Sequence, residues 1–118
     1  MMETTTLPWI DQETQECIDR CTDCHNVCTE TITYCLEQGG DYLALDLVRL
    51  LQDCTQHCAT SADFMLRGSS FSAPVCGLCA IICDACADAC DQFGNDRQMT
   101  FCAATCRQCA ECCRRMAR

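Results

Sequence analysis

Residues 76–90 read CGLCAIICDACADAC, with cysteines at Cys76, Cys79, Cys83, Cys86 and Cys90. The steps are 3, 4, 3 and 4. That rhythm keeps every sulfur on one face of an α-helix and fits no strand, whose period is two. Pro74 and Ser72 stand just upstream, where a proline without its N–H fits a first helical turn and a serine can cap. Gly94 lies a few residues beyond the far end.

The same rhythm recurs on both sides of this stretch. Residues 11–38 carry Cys17, Cys21, Cys24, Cys28 and Cys35, with Thr31 at the one missing beat. Residues 95–116 carry Cys102, Cys106, Cys109 and Cys113. Residues 41–67 carry only Cys54 and Cys58, while Leu47, Leu51, Ser61 and Met65 continue the register. Gly39-Gly40, Gly68-Ser69-Ser70 and Gly94 separate four predicted helices: residues 11–38, 41–67, 72–93 and 95–116. Asp11 is the expected cap of the first, Ser72 of the third, and Asn95 with Gln98 forms a capping-box pattern for the fourth. Short connections between helices of similar length predict an all-α, antiparallel up-down-up-down four-helix bundle. The expected organisation is an N-terminal tail, residues 1–10, followed by one bundle domain, residues 11–118.

Sixteen of the seventeen cysteines fall on the inward, a/d-type stripes. Cys112, beside Cys113, is the exception and is expected against a neighbouring helix or at the bundle edge. One or two buried cysteines would be ordinary small hydrophobes. Sixteen in register are not, because leucine there would bury more apolar area, worth on the order of 1 kcal/mol per site. Disulfides are a poor alternative along one helix face, where the Cα–Cβ vectors run nearly parallel.

The 118-residue chain has a net charge of −9, which excludes a basic nucleic-acid footprint and disfavours anionic lipid. No run of eighteen apolar residues occurs, so no membrane span is expected. Met1 to Ile10 show no basic region, twin arginine or apolar stretch, so the expected compartment is the cytosol. A reducing compartment turns the cysteines toward metal rather than disulfide chemistry.

Thiols three and four residues apart on a helix can converge on one ion. Cu(I) is soft, prefers thiolate and thioether, and replaces one thiol proton per ion, so a core can fill without accumulating charge. A four-thiolate Zn(II) site carries a net charge of minus two, and several stacked in one core are costly. Copper therefore ranks first, zinc or cadmium sequestration second and an iron–sulfur cluster third. A thiol redox enzyme would need one distinguishable activated cysteine, and no such constellation stands out. A ferritin-like oxidase would need inward Glu and E-x-x-H motifs, which the sequence lacks.

The two ends of the predicted bundle differ. One gathers Cys17, Cys76, Cys113, Met65 and Met116, and copper is expected to enter there. Both methionines read equally well as weak thioether ligands or as core filler. The other gathers Leu47, Leu51, Phe93, Met99 and Phe101, with Tyr34 nearby, and reads as plugged. His25 and His57 flank the stripes, where a partly solvated surface role is the ordinary reading and copper ligation the alternative.

The stretches CIDRCTDCHNVC (17–28), CTQHC (54–58), CGLCAIICDACADAC (76–90) and CAATCRQCAECC (102–113) resemble the bacterial copper storage proteins. The resemblance spans nearly the whole chain and points to the cytosolic branch. It implies a homotetramer of four-helix bundles holding many Cu(I) ions per chain. The second helix departs from the pattern with two cysteines, so fewer ions are expected at the plugged end. Leu45, Val48, Leu78, Ile81 and Ile82 lie off the cysteine stripes and fit either a partner chain or an inter-helix flank. No residue identifies a copper donor or acceptor protein, or a small thiol, as delivery partner.

Overall fold

The computed structural model describes residues 7–118. Four helices follow in order: α1 (Gln12–Gln38), α2 (Leu45–Leu66), α3 (Ser72–Asp91) and α4 (Arg97–Met116). Each packs on its sequence neighbours, and α1 closes the ring on α4. The antiparallel sense is visible in the sulfurs. From α1 to α4, Cys17 meets Cys113, Cys21 meets Cys109, Cys24 meets Cys106 and Cys28 meets Cys102. From α2 to α3, Cys54 meets Cys83 and Cys58 meets Cys79.

The helices start and stop for local reasons. Asp11 caps α1 and accepts from the Thr14 amide at 2.8 Å, as the sequence predicts. Gly39 ends α1 at φ 71°, a left-handed geometry that glycine takes without a Cβ clash. Helix α3 ends at Asp91 and not at 93, and three further details differ from expectation. Residues Gly40–Leu43 form a separate 3₁₀ turn, so α2 begins at Leu45 and not at 41. Phe71 occupies the cap position of α3, and Ser72 instead donates back to the Ser69 carbonyl at 2.9 Å. Asp96, not Asn95, caps α4, accepting from the Met99 amide at 3.0 Å.

By length and composition α3 is apolar enough to cross a membrane. Much of that apolarity is sulfur and alanine, with Cys76, Cys79, Ala80, Cys83, Cys86, Ala87 and Cys90 turned into the bundle. The acidic surface is stitched across helices. Arg107 of α4 pairs with Asp88 and Asp91 of α3, and Arg114 with Asp84 at 2.6 Å. Such exposed pairs each contribute little, about 0–1 kcal/mol. Their common α3–α4 direction fixes register more than it adds stability.

Candidate metal centre

All seventeen cysteines are buried, free thiols. Few large apolar side chains share the interior: Leu47, Leu51, Met65 and Met99 among the core stripes, with Ile10, Ile18 and Val27 at its margin. The core is therefore packed by sulfur against sulfur.

The sequence reading places convergence between thiols of one helix. The structure supplies that contact, at 3.9 Å for Cys24–Cys28, Cys54–Cys58 and Cys79–Cys83. Most contacts between helices are shorter. Cys21–Cys113, Cys28–Cys106, Cys54–Cys83, Cys58–Cys83 and Cys21–Cys109 all stand at 3.6 Å. Sulfur atoms gather in groups whose members lie within 4.8 Å of one another: Cys21, Cys79, Cys109 and Cys113; Cys24, Cys58, Cys83 and Cys109; Cys24, Cys28, Cys54 and Cys106; and Cys17, Cys112 and Cys113. Cys24, Cys109 and Cys113 each belong to two groups, so the groups form one connected column.

Cys112 lies off the stripes as expected, on the α1 side of α4. Its thiol donates to the Cys109 carbonyl at 3.2 Å and approaches the Cys17 carbonyl, and it is 1% exposed. Cys102 joins the column through Cys28 at 3.8 Å. Cys86 and Cys90 are buried on the inward face of α3, and the neighbouring Cys102 holds both thiols above their ordinary value. Cys76 is buried on the inward face of α3, where Cys113 and then Cys17 hold its thiol below the ordinary value. Neighbouring thiols shift one another in opposite directions: Cys106 and Cys24 hold Cys54 below its ordinary value, and Cys102 and Cys106 hold Cys28 above it. Protons in this core belong to a shared network, and each arriving cation displaces one.

The two ends differ, as the sequence suggests. At the first, a cavity of about 180 Å³ is lined by Trp9, Thr14, Met65, Gly68, Ser69, Ser72 and Met116. Trp9 lies over Gly68, whose φ is 66°; a Cβ there would stand 2.8 Å from the indole. The indole N–H donates to the Leu66 carbonyl at 2.8 Å. Sequence reading missed Trp9, because only the fold brings residue 9 to the end of α2. The Met116 thioether accepts the Thr14 hydroxyl at 3.9 Å, and Met65 is 3% exposed.

At the other end Leu47, Leu51 and Met99 are buried, and Tyr42 packs on Phe93 with ring centroids 4.4 Å apart. Tyr34 and Tyr42 both donate to Asp96, at 2.6 and 2.7 Å. The Asp96 hydrogen bond pushes the Tyr34 phenol up to about 12. Phe101 is not part of the plug. It is 57% exposed, because it stands one residue, about 100° of helix, from the inward Cys102. Cys35 contacts the Met99 sulfur, and burial, then Cys102, Asp96 and Cys86, pushes its thiol up to about 11. The flanking histidines hold helices together: His25 Nδ1 meets the Thr55 carbonyl and His57 Nε2 the Val75 carbonyl, each at 2.8 Å. A surface depression of about 800 Å³ lies around Gly94, Arg97 and Phe101 and is lined by no cysteine.

A ring of four helices enclosing a continuous column of free thiols defines a class of metal-sequestering bundles. The copper storage protein family model matches residues 10–118, and the chain belongs to that family. Among solved structures it resembles the Nmul_A1745 protein of Nitrosospira multiformis, at 50% identity and a TM-score of 0.86, over 92% of this chain and 97% of that one. It also resembles the Cu(I)-bound copper storage protein BsCsp3 of Bacillus subtilis, at 36% identity and 0.84, over 91% and 100%. A cytosolic copper storage protein from Streptomyces lividans, solved with five coppers, matches at 26% identity and 0.81, over 90% and 92%.

Proposed function

We propose that the chain stores and buffers Cu(I) in the cytosol, without catalysis, by filling its thiol column with many ions. The carrying observation is the sharing of Cys24, Cys109 and Cys113 between neighbouring sulfur groups. A thiolate that bridges two ions lets a column fill continuously, which suits cargo better than a single resident cofactor. The Cu(I)-bound relatives support the choice of metal.

The copper-binding unit is the bundle of residues 11–118. Its ligands are the seventeen cysteines, Cys112 included. Met65 and Met116 act as weak thioethers where ions enter, a reading supported by the cavity they line beneath Trp9. Ions pass from there to Cys17, Cys76, Cys112 and Cys113.

Zinc is the second reading, because four sulfurs within 4.8 Å suit a tetrahedral ion. Charge separates the two. One Cu(I) per thiolate is neutral, whereas adjacent Zn(II) sites sharing sulfurs retain negative charge in a dry core. Anaerobic titration of reduced apo-protein with Cu(I) against a chelating competitor tests this. Many ions per chain are expected. Saturation at one or two would defeat storage, and tighter binding of many Zn(II) ions would put zinc first.

The assembly is a homotetramer. Leu45, Leu78 and Ile81 support it, being 60%, 49% and 67% exposed on one protomer. Val48 and Ile82 are partly buried within the protomer and contribute less. Light scattering on the wild type should give four chains, and Ile81→Asp should give smaller species with the same copper content per chain.

A further inference from the structure

On α1 and α2 the cysteine stripes do not run unbroken to the sealed end. On α1 the step after Cys28 is Thr31, fully buried. Its hydroxyl donates to the Val27 carbonyl at 2.7 Å and accepts from Gln98 Nε2 at 3.0 Å. Its proton and one acceptor position are used within the protein, and the hydroxyl oxygen at this rung is a poor ligand for a soft cation. Leu47 and Leu51 fill the corresponding length of α2.

Beyond the rung a second pair of soft atoms meets. Cys35 Sγ lies 3.8 Å from Met99 Sδ, with Cys35 1% and Met99 0% exposed. A methionine that merely fills space can present its methyl or its methylenes to a neighbour. Met99 presents its sulfur to a thiol.

The pair is also held from behind. Tyr34, the residue before Cys35, donates its phenol to Asp96 Oδ2. The same carboxylate receives the Met99 backbone amide through Oδ1. One side chain thus ties the backbone of one partner to the neighbour of the other. Supporting hydrogen bonds of this kind orient ligands at metal sites.

We propose that Cys35 and Met99 form a thiolate–thioether site for one Cu(I) ion at the sealed end of the core, beyond the Thr31–Gln98 rung that interrupts the α1 stripe. The proposal rests on the copper-storage reading and adds to it a ligand of a different type. Binding exchanges the Cys35 thiol proton for Cu(I), and the proton leaves to solvent with no change of oxidation state. One thiolate, one neutral thioether and one monovalent ion sum to zero charge. A divalent ion on the same pair would leave a positive charge, which a dry end sealed by Tyr42, Phe93 and Leu47 penalises. The distance suits the purpose. Metal–sulfur bonds of about 2.3 Å put two sulfurs about 4–4.6 Å apart in bent to linear sites, so the pair opens by less than about 1 Å. Methionine, with three rotatable bonds, accommodates that.

The test uses the full chain labelled with [methyl-13C]methionine and titrated anaerobically with Cu(I), which is diamagnetic and leaves the lines sharp. Met99→Leu, which keeps the apolar volume, assigns the methyl signal, and its helicity is checked by circular dichroism. The Met99 methyl is expected to shift in one step. Cys35→Ser should abolish that step and lower the capacity by about one ion, and Cys35→Ser with Met99→Leu should lower it no further. A wild-type chain that takes up many ions while the Met99 methyl stays unmoved overturns this site and leaves storage intact. So does a shift that persists in Cys35→Ser. A chain that takes up only one or two ions removes the storage reading, and the position of the Met99 signal at that point still shows whether the pair binds.

Discussion

Ser61 and Thr31 stand at matching places, each a hydroxyl on an inward stripe where the rhythm asks for cysteine, and the structure treats them differently. Thr31 is hydrogen-bonded on both sides. Ser61 is fully buried and its oxygen has no hydrogen-bond partner among the described residues. An unpaired buried hydroxyl costs about 1–3 kcal/mol. Ser61→Cys should therefore stabilise the apo-protein, by about 1 kcal/mol, and raise its Cu(I) capacity by about one ion, since it extends the α2 stripe from Cys58. Thr31→Cys should do the opposite to stability, costing about 1–2 kcal/mol because the Gln98 amide loses its acceptor. Urea unfolding of the apo-proteins and competitor titration read both outcomes. An equal effect of the two changes on stability would mean that Ser61 is satisfied after all. The stripes themselves were readable from spacing, because a 3-4 rhythm leaves a helix face no freedom. Whether a given hydroxyl on a stripe is satisfied was not, because the deciding group, Gln98, lies on another helix. Phe101 was misread for a reason the same rhythm contains: a residue beside an inward cysteine faces away from the core.

Helix ends obey local chemistry until the fold offers a better partner. The Asp11 carboxylate bonds Thr14 of its own helix, and its place was legible. Asn95 and Asp96 are both good caps, and sequence cannot rank neighbours one residue apart. The choice is tertiary: Asp96 also receives Tyr34 and Tyr42, one from α1 and one from the 3₁₀ turn. Tyr42 likewise explains why α2 starts late, since the turn Gly40–Leu43 delivers it onto Phe93. Asp96→Ala should then cost more than an ordinary cap, about 2 kcal/mol in urea unfolding, at the upper end of the usual range. Asp96→Asn, which keeps an acceptor for the Met99 amide, should recover part of that. Asp11 makes a pH prediction. The Thr14 backbone and side-chain hydrogen bonds hold its carboxyl below the ordinary value. A lowered folded pKa gives stability that is complete above the unfolded value, about 4, and is lost as pH falls through the folded one. Exchange of the Thr14 amide, corrected for intrinsic rate, should accelerate below pH 4 in the wild type and be fast already at pH 6 in Asp11→Ala.

At the scale of the whole bundle the question is whether the metal builds the fold or only fills it. Small zinc domains collapse without their ion because nothing else packs their interior. Here the sulfurs already touch at 3.6–3.9 Å in the free-thiol state, and the alanines, Leu51 and Met99 close the rest. Asp11 and Asp96 also cap α1 and α4, and Arg107 and Arg114 link α3 to α4. Apo-protein should therefore be folded, with helical circular dichroism within about a tenth of the loaded form. Copper should still stabilise it, because each site bound only when folded contributes RT ln(1 + [L]/Kd), about 2.7 kcal/mol at a hundred times Kd. At about 2.1 cal/mol/K of unfolding entropy per residue, 1 kcal/mol moves the Tm of a domain of this size by about 4 °C, so two such sites imply a rise of about 20 °C. Competing chelator should return Tm to the apo value while ellipticity barely changes. The spacing of the cysteines made a metal-filled core legible, but not this separation of folding from loading, which depends on contacts that close only in three dimensions. An apo chain without helical signal would mean that the column is assembled by copper, and that the thiol contacts are a consequence of loading, not its scaffold.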